Sequence, residues 1–145
     1  MQLTSYTDYS LRVLIYLSTH SDRKVTIKEI SSVYKISKNH LVKVVHKLST
    51  LGYLNTTTGV KGGISLAKSP DKINLAEVVK KMEPTFHVVE CFNPNGQCVI
   101  NPVCELKSIL GSALNAFLKT ISQYTLADIT KKKNAYRKLL MPKIA

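Results

Sequence analysis

The chain has 145 residues, of which 44% are hydrophobic, and its formal net charge is +12. This length suits one domain with a helical extension, and the hydrophobic fraction argues against global disorder. No apolar run reaches the roughly 18 residues of a membrane span, and the N-terminus lacks the pattern of a secretory signal. We therefore expect a cytoplasmic protein that does not associate with a membrane.

The positive charge is concentrated in one part of the chain. Residues 23–47 contain seven basic side chains and a single acid, Glu29. Lys and Arg side chains that neutralise phosphates release condensed counterions, so a basic cluster of this kind indicates a polyanionic partner. Solubility alone is the alternative explanation of the net charge.

Two helices separated by a tight turn are predicted in the basic segment. They follow a helix over residues 7–19 whose apolar spacing indicates burial on more than one side. Thr26 and Glu29 fit a capping box at the start of the first of the two helices, and Ser37 is a candidate N-cap for the second. The second helix runs to Leu51, and Gly52 ends it. This is the organisation of a helix-turn-helix.

The second helix of this pair has two distinct faces. Its apolar stripe is formed by Leu41, Val44, Val45 and Leu48, and its opposite face by Asn39, Val42, Lys43 and His46. Residues 53–58 and 64–67 favour strands around a glycine-rich turn, which predicts a β-hairpin in the position of a wing. An ordinary solvated helix face and a plain hairpin are the alternatives.

The C-terminal half is predicted to be helical around a loop. Asn74 can cap a helix over residues 75–82. An amphipathic helix starts at Pro102 or Val103 and continues to Ile121. A small domain has little surface to cover such a helix, so we expect it to pack in a dimer, or alternatively back on the winged helix. The tail from residue 131 is expected to be solvated and partly frayed.

The three cysteines, Cys91, Cys98 and Cys104, are separated by six and five residues. This is not the spacing of most structural zinc sites. An odd number argues against a full disulfide framework, and three thiolates on one loop suit an iron–sulfur cluster, a zinc ion or plain free thiols. A cluster or zinc site would need a fourth ligand. The candidates are His87, Glu90, Glu105 and a group from another chain.

Five features together resemble a known family. They are residues 3–12, 51–54, 62–67 and 124–129, together with the cysteine trio. The chain resembles the winged-helix Fe–S transcription regulators of IscR and NsrR over at least residues 1–130. The IscR-like pattern has a histidine three residues after the last cysteine, where this chain has Lys107. Asp8 matches the NsrR-like pattern instead, which favours the nitric-oxide-sensing subtype.

The resemblance implies a metal site shared between two subunits. Its ligands would be Cys91, Cys98, Cys104 and Asp8 of the partner subunit, and its cofactor a [4Fe-4S] cluster, with [2Fe-2S] as the alternative. A carboxylate binds iron more weakly than a thiolate, so its iron is where nitric oxide would attack. Asp8 and Arg12 lie four residues apart on a helix and can form an ion pair. We hypothesise that Asp8 exchanges between iron and Arg12, which makes Arg12 a switch residue.

The resemblance also implies how double-stranded DNA is held. Ser37, Asn39, His40 and Lys43 match positions that contact DNA, with the recognition helix in the major groove and the wing, including Gly62, at the minor groove. Asn39 suits an adenine edge and Val42 a thymine methyl. Other basic side chains suit phosphate contacts, namely Lys28, Lys38, Lys47 and Lys61. Thr58 stands where some relatives have an arginine, and Lys61 is the candidate substitute.

The sequence thus predicts a mostly α fold with a small β-hairpin, a winged helix-turn-helix plus a long C-terminal dimerisation helix. We expect a DNA-binding domain over residues 1–83, a cluster-binding loop over 84–104, and a dimerisation helix with a basic tail over 105–145. The predicted function is a homodimeric, nitric-oxide-sensitive repressor on a two-fold-symmetric operator. The alternative is a regulator that senses Fe–S cluster or iron status. No nucleophile motif or phosphate-binding glycine motif supports an enzyme.

Overall fold

The computed structural model describes residues 2–141. These residues form seven α-helices and one two-stranded hairpin. In chain order they are α1 Ser5–Thr19, α2 Ile27–Tyr34, α3 Lys38–Thr50, β1 Leu54–Thr57, β2 Gly63–Leu66, α4 Leu75–Met82, α5 Leu106–Ile121, α6 Leu126–Ile129 and α7 Lys133–Leu139. The predicted mostly α fold with a small hairpin is confirmed. None of the described helices is long and apolar enough to cross a membrane.

Helix α1 lies at the centre of the fold. It begins two residues earlier than predicted, because the side chain of Thr4 accepts a hydrogen bond from the backbone N–H of Thr7 and caps the helix. Val13, Leu14 and Leu17 are buried, and α1 packs against α3, α4, α6, α7 and β2. Burial on more than one side of this helix is therefore confirmed.

Helices α2 and α3 form the predicted helix-turn-helix. Lys35 ends α2 in the left-handed conformation, with φ of 53°, and Ile36 is buried in the turn. Leu41, Val44, Val45 and Leu48 of α3 are all buried, as their spacing predicts. Ser37 occupies the N-cap position of α3, but its side chain makes no capping hydrogen bond.

The predicted capping box at the start of α2 is only half correct. The hydroxyl of Thr26 accepts from the backbone N–H of Glu29 at 3.2 Å. The Glu29 carboxylate, however, accepts hydrogen bonds from the Tyr16 hydroxyl at 2.7 Å and from the Arg23 guanidinium. A carboxylate binds a guanidinium more strongly than a backbone N–H, so the long-range partners replace the local one. Glu29 therefore connects α1, the loop after it and α2.

The wing is an antiparallel hairpin with a third short partner. Leu54 pairs with Leu66 and Thr57 with Gly63. Val25, which precedes α2, exchanges backbone hydrogen bonds of 3.0 and 2.8 Å with Ile64. These bonds fix the wing relative to the N-terminus of α2.

Helix α5 begins later than predicted. Residues 101 and 103 donate backbone hydrogen bonds to residues 98 and 100, so turns occupy the segment that was expected to be helical. The helix starts at Leu106 after the N-cap Glu105, and none of its residues is buried. It contacts α4, and its most buried side chains are only half-buried within one chain.

The prediction of a frayed C-terminal tail is wrong for residues 133–139, which form α7. The Arg137 side chain donates to the backbone oxygen of Thr19 at the end of α1, at 2.7 Å, and it also pairs with Asp22. The hydroxyl of Tyr136 donates to the backbone oxygen of Ile129 at 2.9 Å. These long-range contacts stabilise a helix that its local sequence does not indicate. The last four residues of the predicted tail lie outside the described residues.

We expect the Glu29→Gln variant to lose about 1 kcal/mol of unfolding free energy at pH 7, because a charge-assisted bond to a half-exposed arginine is replaced by a neutral one. The Arg23 hydrogen bond lowers the pKa of Glu29 from its ordinary 4.5. Because the pKa of Glu29 is lowered in the folded state, its ionised carboxylate stabilises the fold above pH 4.5. This contribution to the unfolding free energy is lost as the pH falls further and the carboxylate is protonated.

Urea titrations of the wild type and the variant between pH 3 and pH 7 measure this difference in unfolding free energy. Glu77→Gln is a matched control, since Glu77 is exposed on α4. A wild-type advantage that stays constant as the pH drops below 4.5 would contradict the role assigned to the Glu29 carboxylate.

Candidate nucleic-acid interface and cysteine loop

One face of α3 presents polar and basic side chains to solvent. Asn39, His40, Val42, Lys43 and Lys47 are exposed, opposite the buried apolar stripe. Ser37 and Lys38 are exposed at the N-terminal end of the helix. The α3 residues expected to contact DNA therefore lie together on the accessible side of one helix and its first turn.

A groove of about 360 Å³ separates this helix from the wing. Its lining includes Lys28, Lys38, Thr56, Thr57 and Thr58. Two ammonium groups near threonine hydroxyls form a surface that can accept a phosphate backbone. The structure thus brings Lys28 of α2 next to the first residue of α3 and the wing.

The wing turn depends on its glycines. A Cβ on Gly62 would lie 2.5 Å from the backbone oxygen of Thr57, so a side chain is excluded there. Gly59 has φ of +95°, in the region that favours glycine. The turn projects Val60 and Lys61 into solvent, where Lys61 is accessible to a polyanion.

The first turns of α1 contact α3 directly. The hydroxyl of Tyr6 donates to the backbone oxygen of Lys43 at 3.2 Å. The ring centroids of Tyr9 and His40 are 6.3 Å apart. Sequence reasoning missed this junction, although two tyrosines three residues apart on α1 share one face of the helix and are a signal that this face packs on another element.

The cysteine loop has an ordered backbone. A 3₁₀ turn, Glu90–Phe92, contains Cys91, and the Glu90 side chain accepts from the backbone N–H of Gln97 at 3.2 Å. A Cβ on Gly96 would lie 2.5 Å from the backbone oxygen of Glu90, so only glycine allows this close approach. Cys91, Cys98 and Cys104 are unpaired and half-buried.

The donors suit an iron–sulfur cluster in their chemistry, but a single chain does not assemble the site. Three unpaired thiols on one glycine-dependent loop are the soft ligands that such a cluster requires. Among residues 2–141, however, no three His, Cys, Asp or Glu side chains are grouped closely enough to hold a metal ion. Of the other fourth-ligand candidates, His87 and Glu105 are exposed, and Glu90 is bonded to Gln97.

Asp8 forms the predicted ion pair with Arg12. The guanidinium binds both carboxylate oxygens, at 2.8 Å through Nη2 and at 3.1 Å through Nε. Both side chains are 43% exposed, so this pair is accessible from outside the chain. The Arg12 guanidinium also lies 5.8 Å from the centre of the Tyr34 ring on α2.

Glu83 joins the base of the cysteine loop to α1. Its carboxylate accepts from the backbone N–H and the hydroxyl of Thr4, both at 3.1 Å, and from the hydroxyl of Thr7. An anion at the C-terminus of α4 opposes that helix's own dipole but favours the N-terminus of α1. This unfavourable local position was the signal from which sequence reasoning could have found the contact.

Apolar side chains are exposed where the loop meets α5. Val99 and Val103 are 92% and 83% exposed, and Ile100, Leu106 and Ile109 are each more than half exposed. Several exposed apolar side chains within one short segment are costly in water, and such segments are typical of a protein–protein contact.

Comparison with known proteins identifies the family. The sequence profile of the Rrf2 family, described as "Iron-dependent Transcriptional regulator", matches residues 3–132. The chain is 51% identical over 142 residues to the HTH-type transcriptional regulator NsrR of Bacillus licheniformis, covering 97% of this chain and 99% of that protein. It is 50% identical over 145 residues to the regulator of the same name from Bacillus subtilis, covering 99% of each.

Solved structures share the fold at lower identity. CymR, the global cysteine regulator of B. subtilis, matches with a TM-score of 0.71 and 21% identity, covering 90% of this chain and 97% of that one. The IscR of T. potens matches with a TM-score of 0.72 and 19% identity, covering 90% and 87%. The profile match and the 51% identity decide the assignment: the chain belongs to the Rrf2 family and is a transcriptional regulator rather than an enzyme.

Proposed function

We propose that this regulator is a nitric-oxide-sensitive repressor, a homodimer on a two-fold-symmetric operator whose DNA binding is controlled by a [4Fe-4S] cluster. The observation that carries the proposal is the attachment of the loop with three unpaired thiols to α1, which also contacts α3. The 51% identity to an NsrR supports the subtype. The same subtype follows from Asp8 and Lys107 in the resemblance.

The DNA interface of this proposal consists of α3, the first turn of α2 and the wing. Asn39, His40, Val42 and Lys43 would meet base edges, together with Ser37. Phosphate contacts would come from Lys28, Lys38, Lys47, Lys61 and the backbone of Gly62. In this proposal the DNA-binding domain is 1–83, the cluster loop 84–104 and the dimerisation segment 105–145.

The cluster would be held by Cys91, Cys98 and Cys104 of one subunit and by Asp8 of the partner subunit. A second chain enters this proposal because one chain offers only three cysteines, so the fourth ligand must come from another group. When bound, the cluster would supply iron that reacts with nitric oxide. Thiols remain reduced in the cytoplasm, where the proposal places the protein.

The Asp8–Arg12 pair gives the proposal its switch. Arg12 binds both oxygens of the Asp8 carboxylate, so a carboxylate that leaves iron has a partner four residues away. Asp8 held by Arg12 is bound within its own helix and no longer to iron. Loss of the inter-subunit bond would therefore free the first turns of α1 from the partner subunit, beside the contact of Tyr6 with α3.

The dimer would be formed by α5 and the end of the cysteine loop. No residue of α5 is buried within one chain, and the exposed apolar side chains at its N-terminal end need a cover. A second copy packed along α5 buries them and, by two-fold symmetry, brings each loop towards the other subunit.

The description of the family as iron-dependent favours a second candidate. In that case the same thiols would report Fe–S cluster or iron status, with a [4Fe-4S] or a [2Fe-2S] cluster. The two candidates share a site and differ in the signal that changes DNA affinity.

We expect anaerobically purified protein to be coloured, with iron and acid-labile sulfide in equal amounts, and to lose operator affinity by at least about tenfold after exposure to nitric oxide. The operator is a fragment that the wild type selects from a random DNA pool. Cys98→Ala should abolish the colour, because two cysteines cannot hold the cluster.

Iron depletion of the growth medium separates the two candidates. Loss of affinity on iron depletion without a response of the loaded protein to nitric oxide would favour the status sensor. Colourless, zinc-loaded protein with unaltered binding would refute both.

We expect Lys43→Ala to weaken operator binding about tenfold, since a removed DNA contact costs about 1–3 kcal/mol. Lys80→Ala is a matched control, because Lys80 is an exposed lysine of α4, outside the proposed DNA and dimer interfaces. Fluorescence anisotropy at several salt concentrations measures both variants. Equal affinities of the two variants would rule out Lys43 as a DNA contact.

We expect Arg12→Ala to reduce the loss of operator affinity that follows nitric oxide, because Asp8 then lacks its partner on α1. Arg12→Lys keeps the charge but not the bidentate hydrogen bonding, so its loss of affinity after nitric oxide should be intermediate. The measured quantity is the ratio of dissociation constants after and before exposure. A wild-type ratio in Arg12→Ala would show that the exchange has no role.

A further inference from the structure

The first two turns of α1 are held at both sides by contacts distant in sequence. On one side the Glu83 carboxylate accepts from Thr4 and Thr7, and Thr7 is fully buried. Glu83 immediately precedes Pro84, where the cysteine segment begins. This carboxylate therefore anchors the start of the loop to the N-terminus of α1.

On the other side the same turns contact α3. The Tyr6 hydroxyl donates to the backbone oxygen of Lys43, in the middle of the basic face. Tyr9, one turn later, lies near His40 of the same helix. Asp8 lies between these two tyrosines in the sequence. The anchors of the loop at Thr4 and Thr7 are thus each two residues from the supports of α3 at Tyr6 and Tyr9, or about 3 Å along the axis.

We propose that residues 4–9 are a rigid connector, in which Glu83 and Tyr6 are positioning residues that transmit a displacement of the cysteine loop to α3. The connector rests on the proposed function in one respect, that the loop is where the signal acts. The connector adds a route within one chain from the cysteine loop to α3. This route is separate from the binding of Asp8 to the cluster of the partner subunit.

Two physical arguments support the connector. A carboxylate that accepts several hydrogen bonds and also compensates a helix dipole is held more firmly than a carboxylate with a single contact. A helical turn with satisfied backbone bonds is stiff, so a shift imposed at Thr4 is not absorbed before Tyr6. Packed elements respond to such shifts by moving between discrete arrangements rather than by deforming gradually.

Hydrogen–deuterium exchange of the cluster-free chain tests the mechanical link without the cofactor. Glu83→Gln keeps the size of the side chain but replaces one acceptor oxygen with a donor. We expect it to raise amide exchange at least about threefold in residues 4–9 and also in residues 38–50. Glu77→Gln changes an exposed glutamate of α4, the helix that Glu83 follows directly, and it should raise exchange in neither segment. An increase confined to residues 4–9 would overturn the connector.

The reverse experiment uses Tyr6→Phe, which removes one hydroxyl. We expect raised amide exchange in residues 84–92, the part of the cysteine loop that Glu83 anchors to the connector. Tyr124→Phe, which changes an exposed side chain after the C-terminal end of α5, should not change the exchange there. Because Tyr6→Phe is a minimal change, it decides the proposal even if Glu83→Gln does not fold. Unchanged exchange in residues 84–92 would overturn the connector.

Operator binding supplies the functional measurement. In the loaded protein, we expect Glu83→Gln and Tyr6→Phe to reduce the fold-loss of affinity on nitric oxide exposure at least about threefold, at unchanged iron content. A wild-type response in both variants overturns the connector and leaves the proposed function intact. If the wild type itself does not respond, the proposed function fails, and the exchange experiments still decide whether the connector exists.

Discussion

Helix α1 packs against α3, α4, α6, α7 and β2, and this packing is the constraint on which the other elements depend. Val13, Leu14 and Leu17 are fully or almost fully buried, and each such side chain contributes about 1.5–3 kcal/mol to the fold. The helix cannot rotate without breaking several of these contacts at once. Whatever is attached to its first turn is therefore mechanically connected to the rest of the chain.

The two functional regions differ in how complete they are within one chain. The basic face of α3 is fully formed, because the burial of Leu41, Val44 and Leu48 determines which side faces solvent. The thiols are unpaired and half-buried on an ordered loop, but no ligand group is assembled among the residues described. The first region is thus complete in one chain, whereas the second region is not, and its completion by a second chain is part of the proposed function.

Sequence patterns within a few residues predicted the helices and the hairpin. The contacts that they did not predict are between residues far apart in the chain. The bounds of α4, the buried stripe of α3 and the hairpin follow from periodicity and capping residues, which act within a few positions of the chain. Tyr16 lies 13 residues from its partner Glu29, and Thr4 lies 79 residues from its partner Glu83, and no local rule reaches that far. The resemblance named candidate ligands and DNA contacts, and these remain predictions.

Helix α7 shows that the limits of a family pattern and of a folding unit need not coincide. The family profile ends at residue 132, one residue before α7 begins. Yet Arg137 donates a hydrogen bond to the backbone oxygen of Thr19, which has no hydrogen-bond partner within α1 because it lies in the last turn. Leu140 also packs on the core. A chain trimmed at the family boundary would therefore expose the C-terminal end of its central helix, at the opposite end of α1 from the contact of Tyr6 with α3.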